Sequence, residues 1–249
     1  MKKKLIAFDM DGTITRSKSA IEKNMNELIS RLVEQYYVCI VSGGRYEQFE
    51  TQILSYISLE ARKSGHLYIA PTSGACLYQV KETPLLLYSH DFDPSVKEKI
   101  IHAYTKAVKD THIEMPRAVY GDVVEDRGSQ LSFSFFGQDA PYEVKKSWDI
   151  DTKKRTAIRE IMLRMVKDMS VNILIGGTST IDVVPVGVDK AYVLDRLVDI
   201  LSIQKSEVLY VGDAVFPGGN DYAPHAHGYD TALVAGLEDT KKIIQELLK

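Results

Sequence analysis

Three apolar runs near the start of the chain, Leu5 to Phe8, Val38 to Val41 and Leu67 to Ile69, are too short for helices and are separated by helix-length segments. Between the first two, Ile21, Met25, Leu28, Ile29, Leu32 and Val33 recur at the spacing of an amphipathic helix. Unbroken apolar strands are buried on both faces, and a strand-helix-strand order supplies the crossovers that parallel neighbours need. A Rossmann-like parallel α/β sheet is therefore expected. The pattern returns near the end, where helix-like Ala191 to Leu201 precedes the apolar strand Val208 to Val211 and strand-like Thr231 to Val234 precedes helix-like Asp239 to Leu248.

Between 83 and 185 the pattern changes. Leu85 to Tyr88, Leu131 to Phe136, Val171 to Ile175 and Ile181 to Val184 read as strands, with amphipathic helices over 95–108 and 152–168. The segment Asn172 to Val184 predicts a hairpin turning at Gly176-Gly177. Runs of paired strands suit an antiparallel sheet. The expected organisation is an α/β core of 1–82 plus 186–249, interrupted by an α+β cap domain at 83–185.

Composition excludes some partners. With 31 Lys+Arg against 34 Asp+Glu the net charge is −3, which gives no bulk attraction to nucleic acid or anionic lipid, and neither is expected to bind. Two cysteines, Cys39 and Cys76, make neither a disulfide framework nor a metal knuckle and read as core. Lysines precede Leu5 to Phe8 as in a secretion signal, but Asp9 and Asp11 interrupt that run far short of a signal core. Nothing approaches the ~20 apolar residues of a membrane span, so a cytoplasmic location is expected.

Four motifs are expected on one side of the sheet, three at the carboxyl ends of predicted strands and one at a helix start, where open parallel sheets collect ligands. The first strand ends in Asp9-Met10-Asp11-Gly12-Thr13; two close carboxylates repel unless a cation lies between them, and Mg2+ is the usual hard partner. The second ends in Ser42-Gly43-Gly44-Arg45, a hydroxyl and glycine amides before a helix-like stretch through Leu54, suited to phosphate oxygens. Lys190 opens a helix, where a cation opposes the helix dipole and a phosphoryl group would explain it. The strand Val208 to Val211 leads to Gly212-Asp213 and a loop carrying Asn220-Asp221.

In order and spacing these motifs resemble the haloacid dehalogenase superfamily, in the branch that inserts a large α/β cap after the third strand. The Gly212 to Asp221 pattern, Gly187 to Lys190, and Gly176-Gly177 with Asp182 resemble eukaryotic-type phosphomannomutases. The resemblance implies that Asp9 is a nucleophile forming an aspartyl-phosphate and Asp11 the general acid/base, while Ser42 and Lys190 bind the transferring phosphoryl group. It implies that Asp9, the Asp11 carbonyl and Asp213 hold Mg2+, with Asp221 and Asn220 in support. The second carboxylate, Asp11, separates phosphatases and phosphomutases from the dehalogenases and ion pumps of the superfamily.

The resemblance also places substrate contacts at Lys18, Arg127, Thr180 and Asp182, and puts Gln138 and Lys145 where related mutases carry arginine. Gln lacks the charge and the bidentate fork, and Lys offers only a point charge. Weaker grip on a second phosphate favours hydrolysis of a sugar phosphate. The alternatives are a phosphomannomutase-like exchange of hexose 1- and 6-phosphates, or a non-catalytic phosphosugar-binding protein. Related mutases dimerise through their caps, so a homodimer is implied by resemblance. His225 and His227 read as an exposed loop rather than a second metal site. Leu131, Phe133 and Phe135 read as cap core or a dimer surface, and Trp148 and Tyr142 as packing or a sugar cleft.

Overall fold

The apolar runs become the centre of a doubly covered sheet. A computed structural model of the chain describes residues 2–17 and 19–249. In chain order the first part forms β1 (Leu5–Asp9), α1 (Lys23–Gln35), β2 (Tyr37–Val41), α2 (Tyr46–Phe49), a π-helical turn at Glu50–Leu54, α3 (Leu59–Lys63), β3 (Leu67–Ala70), β4 (Cys76–Gln79) and β5 (Leu85–Ser89). The middle forms α4 (Pro94–Thr111), β6 (Val124–Asp126), β7 (Leu131–Ser134), α5 (Tyr142–Lys145), α6 (Lys153–Met165), β8 (Val171–Gly176) and β9 (Thr180–Pro185). The chain ends with α7 (Lys190–Leu201), β10 (Val208–Gly212), α8 (Tyr222–Ala226), β11 (Asp230–Leu233) and α9 (Leu237–Leu247). It divides into two compact units, Met1–Ser89 with Val188–Lys249, and His90–Gly187.

In the first unit the described strands run in the order β11-β10-β1-β2-β3-β4-β5. Pairing is parallel from β11 to β3 and antiparallel at β4 and β5. Alternate residues of β1 take opposite faces. Ile6 and Phe8 pack with Met25, Ile29 and Leu32 of α1 and Ile244 of α9. Leu5 and Ala7 pack with Val193, Leu194 and Leu197 of α7. Helices on both faces explain why β1, β2 and β3 are apolar without alternation. Cys39 belongs to that second cluster, and burial pushes its thiol far above the usual range. One sequence assignment changes: β5, read as part of the insertion, joins the large sheet, because the short 80–84 connection returns it antiparallel to β4.

The second unit is a sheet with one apolar face. Its order is β6-β7-β9-β8, all antiparallel. Leu131, Phe133, Ile173, Ile181 and Val183 pack against Ile100, Ala103 and Tyr104 of α4 and Ile158 and Met162 of α6. Tyr104 stacks on Phe133 with ring centroids 4.2 Å apart, so the alternating aromatics of β7 are core. Trp148 packs on Phe135 and Phe136, whereas Tyr142 is 62% exposed. The predicted hairpin is present, with Gly176 paired to Thr180 across its turn. No helix among the described residues is long and apolar enough to cross a membrane.

Candidate active site

Strand register gathers the core motifs at one end of the large sheet. Asp9 lies level with Val41 and Phe8 level with Val211, so Ser42 and Asp213 leave the sheet beside Asp9 and Asp11. From β1 the chain proceeds to β2 on one side and returns as β10 on the other, which is the topological switch point where such sheets bind ligands. Gly12, at φ +88°, makes the turn after Asp11. A Cβ there would run into the Asp213 carboxylate as it is placed, so that side chain packs against bare backbone at residue 12.

Lys190 is the hub of the cluster. It opens α7, whose amides at Ala191 and Tyr192 are capped by Asp189 Oδ1, and it is only 2% exposed. Its Nζ donates to Asp9 Oδ1 at 2.5 Å and to Asp221 Oδ1 at 2.6 Å. The unfavourable place for a cation at a helix N-terminus is thus offset by two buried carboxylates. Asp221 is wholly buried. The Tyr210 hydroxyl also donates to its Oδ1, at 2.6 Å, and the Ala214 amide donates to its Oδ2, at 3.0 Å. Tyr210 was not singled out from sequence, although a tyrosine inside an otherwise apolar strand signals a buried polar partner.

The charge balance of the cluster is negative. Burial, with the neighbouring charges of Asp221 and Asp213, outweighs Lys190 and pushes the Asp9 carboxyl up to about 6. Burial and Asp221 raise Asp213 as well. At Asp221 burial is overcome by Lys190, Tyr210 and the Ala214 amide, which hold it below the ordinary carboxylate range. Burial would lower Lys190, but Asp9 and Asp221 together raise it. Asp9, Asp213 and Asp221 bring one ligand atom each within 4.8 Å of one another, the only such group among the described residues. An all-oxygen set carrying excess negative charge suits a hard divalent cation. The acceptors of Asp221 are already engaged, which leaves Asp9 and Asp213 as its better-placed carboxylates.

The second motif forms a buttressed loop. Ser42 is buried, and its Oγ accepts the Gly44 amide at 3.1 Å, so Gly44, expected to offer that amide to phosphate, spends it on shaping the turn. Ser73 N donates to Ser42 O and Thr72 N to Gly44 O. Thr72 and Ser73 both have positive φ, +50° and +57°. Two consecutive non-glycine residues in this region are strained, and nothing in their identity announced it. Gly43 lies in the same loop, with Ser73 Oγ 3.6 Å from where its Cβ would be. Asn220 is exposed, and Asp11 is half-buried and bridges to Thr15. Lys18 lies outside the described residues. His225 and His227 are exposed, beside Thr231 and Asp195 respectively, and join no metal-capable group among the described residues.

In the second unit, Arg127 is held by Glu125, its Nη2 donating to Oε2 at 2.6 Å. Asp182 pairs in register with Ser132 on one side and Leu174 on the other. Its Oδ1 is buried without a hydrogen-bond partner, as is Nε2 of Gln138. Thr180 Oγ1 donates to Gly176 O at 2.6 Å, and Lys145 ends the short helix α5, half-buried. A buried ion pair that the sequence did not disclose, Arg155 with Asp149, lies beneath the β8–β9 turn.

The chain is similar to several known proteins. The family model for haloacid dehalogenase-like hydrolases matches residues 6–222. A probable phosphomannomutase of Caenorhabditis elegans is 24% identical, the match covering 98% of this chain and 95% of that one. Phosphomannomutase 2 of Dictyostelium discoideum is 28% identical over 89% of this chain and 86% of its own. Among solved structures, the IMP-bound IMP-nucleotidase of Plasmodium falciparum superposes with a TM-score of 0.68 at 18% identity, covering 99% of this chain and 68% of that one; that likeness is one of fold.

Proposed function

Because the chain belongs to the haloacid dehalogenase-like hydrolase family, we propose that it is a Mg2+-dependent phosphatase of small sugar phosphates that works through a phosphorylated Asp9. The observation that carries this reading is the buried Asp9–Lys190–Asp221 chain beside Asp213 at the sheet switch point. An oxygen of Asp9 attacks phosphorus in line and the ester P–O bond breaks. Asp11 gives the departing alkoxide its proton. Water then attacks the acyl phosphate, Asp11 takes its proton, and phosphate leaves with Asp9 restored. Lys190 neutralises charge on the equatorial oxygens, and Ser42 with the Gly43 amide orients them. Asp9, Asp213 and the Asp11 carbonyl would hold Mg2+, with Asp221 and Asn220 behind them; the ion supplies further positive charge at the phosphoryl group and keeps Asp9 ionised.

In the second unit Arg127, Gln138, Lys145, Thr180 and Asp182, with Lys18 of the first, are the proposed contacts to the rest of the substrate. Gln138 and Lys145 offer less to a second phosphate than arginines would, which favours hydrolysis. The second reading, interconversion of hexose 1- and 6-phosphates, is supported by the names of the curated relatives. A panel of hexose phosphates with Mg2+, and with catalytic bisphosphate added, separates them. Free phosphate above isomer supports the phosphatase, isomer above phosphate the mutase, and neither product opposes both.

A further inference from the structure

In the second unit, Asp149 and Arg155 are a buried ion pair, 4% and 2% exposed. Arg155 Nε donates to Asp149 Oδ2 at 2.7 Å, and Nη2 to the Asp149 carbonyl at 3.2 Å. The carboxylate also accepts the amides of Lys154 and Arg155, at 2.9 and 3.2 Å, and so closes the first turn of α6. The remaining nitrogen, Nη1, leaves the helix and reaches the hairpin turn, donating to Gly176 O at 2.8 Å, Gly177 O at 2.9 Å and Thr180 O at 3.5 Å. A lone ion pair needs none of these carbonyl contacts. The planar fork fixes three backbone groups of one turn against one helix end, which a flexible point charge does not do.

Gly176 is where this bracket meets Thr180 and Asp182. Its carbonyl accepts both Arg155 Nη1 and Thr180 Oγ1. A Cβ on Gly176 would collide with the Asp182 carboxylate and approach Thr180 Oγ1 to 2.9 Å, so both side chains are seated against bare backbone. Asp182 Oδ1 is buried with no hydrogen-bond partner, an acceptor arranged for a donor the protein does not supply.

We propose that Arg155, held by Asp149, is a positioning residue that sets Thr180 and Asp182 through the turn of the β8–β9 hairpin, and thereby governs selectivity for hydroxylated phosphate esters. The inference rests on the reading of Thr180 and Asp182 as sugar contacts. It adds a residue that takes no part in the phosphoryl chemistry and acts only on substrates bearing hydroxyls.

The test compares mannose 6-phosphate with p-nitrophenyl phosphate, which has no sugar to place. Arg155→Lys keeps the charge and loses the fork. It is expected to raise KM for mannose 6-phosphate about tenfold, the scale of a lost charge-assisted hydrogen bond, with kcat held within about twofold and p-nitrophenyl phosphate kinetics unchanged. Gly176→Ala leaves the ion pair intact and displaces Asp182 directly, so it is expected to give the same KM effect and carries the test if Arg155→Lys fails to fold. In an Asp182→Ala background, Arg155→Lys is expected to add nothing further. Equal losses on both esters, or additive losses in the double variant, would overturn the positioning role while leaving the phosphatase reading intact. If Asp182→Ala itself leaves KM for mannose 6-phosphate unchanged while phosphate is still released, the sugar contact is wrong and the inference falls with it.

Discussion

Lys190→Met removes the cation of the core cluster while keeping an unbranched side chain of similar reach. Replacing a whole buried pair by apolar groups is often neutral, but deleting one partner leaves the other charges buried without compensation and costs about 3–5 kcal/mol. Lys190 has two such partners, at 2.5 and 2.6 Å, so the upper half of that range is expected at neutral pH. Against a total stability of about 5–15 kcal/mol the variant is weakened yet still folded. With a urea slope of about 2–3 kcal/mol per molar, the midpoint should fall by about 1.3–2.5 M in EDTA.

The sign with pH follows from the carboxyls. Asp9 is already raised to about 6, by burial first and by Asp221 and Asp213, with Lys190 opposing. Loss of the ammonium drives Asp9 higher still and releases Asp221 from the cation that holds it low. A carboxyl raised in the folded state favours folding below its unfolded pKa and loses that contribution as pH rises through its folded value. The deficit of the variant should therefore be largest near pH 8 and smaller by about pH 5.5. Mg2+ should restore more stability to the variant than to the parent, because it supplies charge to the same oxygens. Turnover should fall by about 10²–10³-fold, the usual cost of one donor to a developing anion. Circular dichroism in urea at the two pH values is the assay. An unchanged midpoint at pH 8, or a deficit equal at both, would refute the electrostatic reasoning.

EDTA should silence phosphate release and Mg2+ restore it, with a Mg2+-dependent rise in thermal midpoint that Asp213→Asn reduces; EDTA-resistant turnover would remove the metal from the mechanism. Gln138→Arg should shift products from free phosphate toward isomer, and an unchanged ratio would show that the missing fork does not decide the outcome. At Asp149 burial is outweighed by Arg155 and two amides, which hold the carboxyl below its ordinary range, so its contribution is present above about pH 4 and lost as pH falls through the folded value. Trp148 is the single tryptophan and adjoins this pair. Its fluorescence-detected urea midpoint should drop on acidification in the parent and much less in Asp149→Asn, and parallel declines would contradict the pair's role.

The core was legible because its signals are local and redundant. The apolar runs of β1, β2 and β3 can only be doubly buried strands, and the Asp9, Ser42 and Asp213 motifs fall where strands end, while Lys190 opens a helix. The β5 assignment failed because Leu85 and Leu86 are exposed on an edge strand, so neither alternation nor full burial marks its sheet. The helix after Ser42 was expected as one piece through Leu54, yet it passes from α2 into a π-helical turn, a change set by packing rather than composition. The positive φ of Thr72 and Ser73 escaped because the glycine of the turn, Gly74, marks only its last residue and the two strained positions before it carry ordinary side chains. Asp149 and Arg155, six residues apart, look like ordinary solvated charges in sequence; only the fold carries the guanidinium to a turn more than twenty residues away.

The most direct test is chemical trapping at Asp9. Acid quenching during turnover of mannose 6-phosphate with Mg2+, followed by digestion and mass spectrometry, should find a hydroxylamine-sensitive phosphoryl group on the Asp9 peptide, absent from Asp9→Asn, which should also release no phosphate. Full turnover by Asp9→Asn, or a phosphoryl group on another residue, would contradict the account.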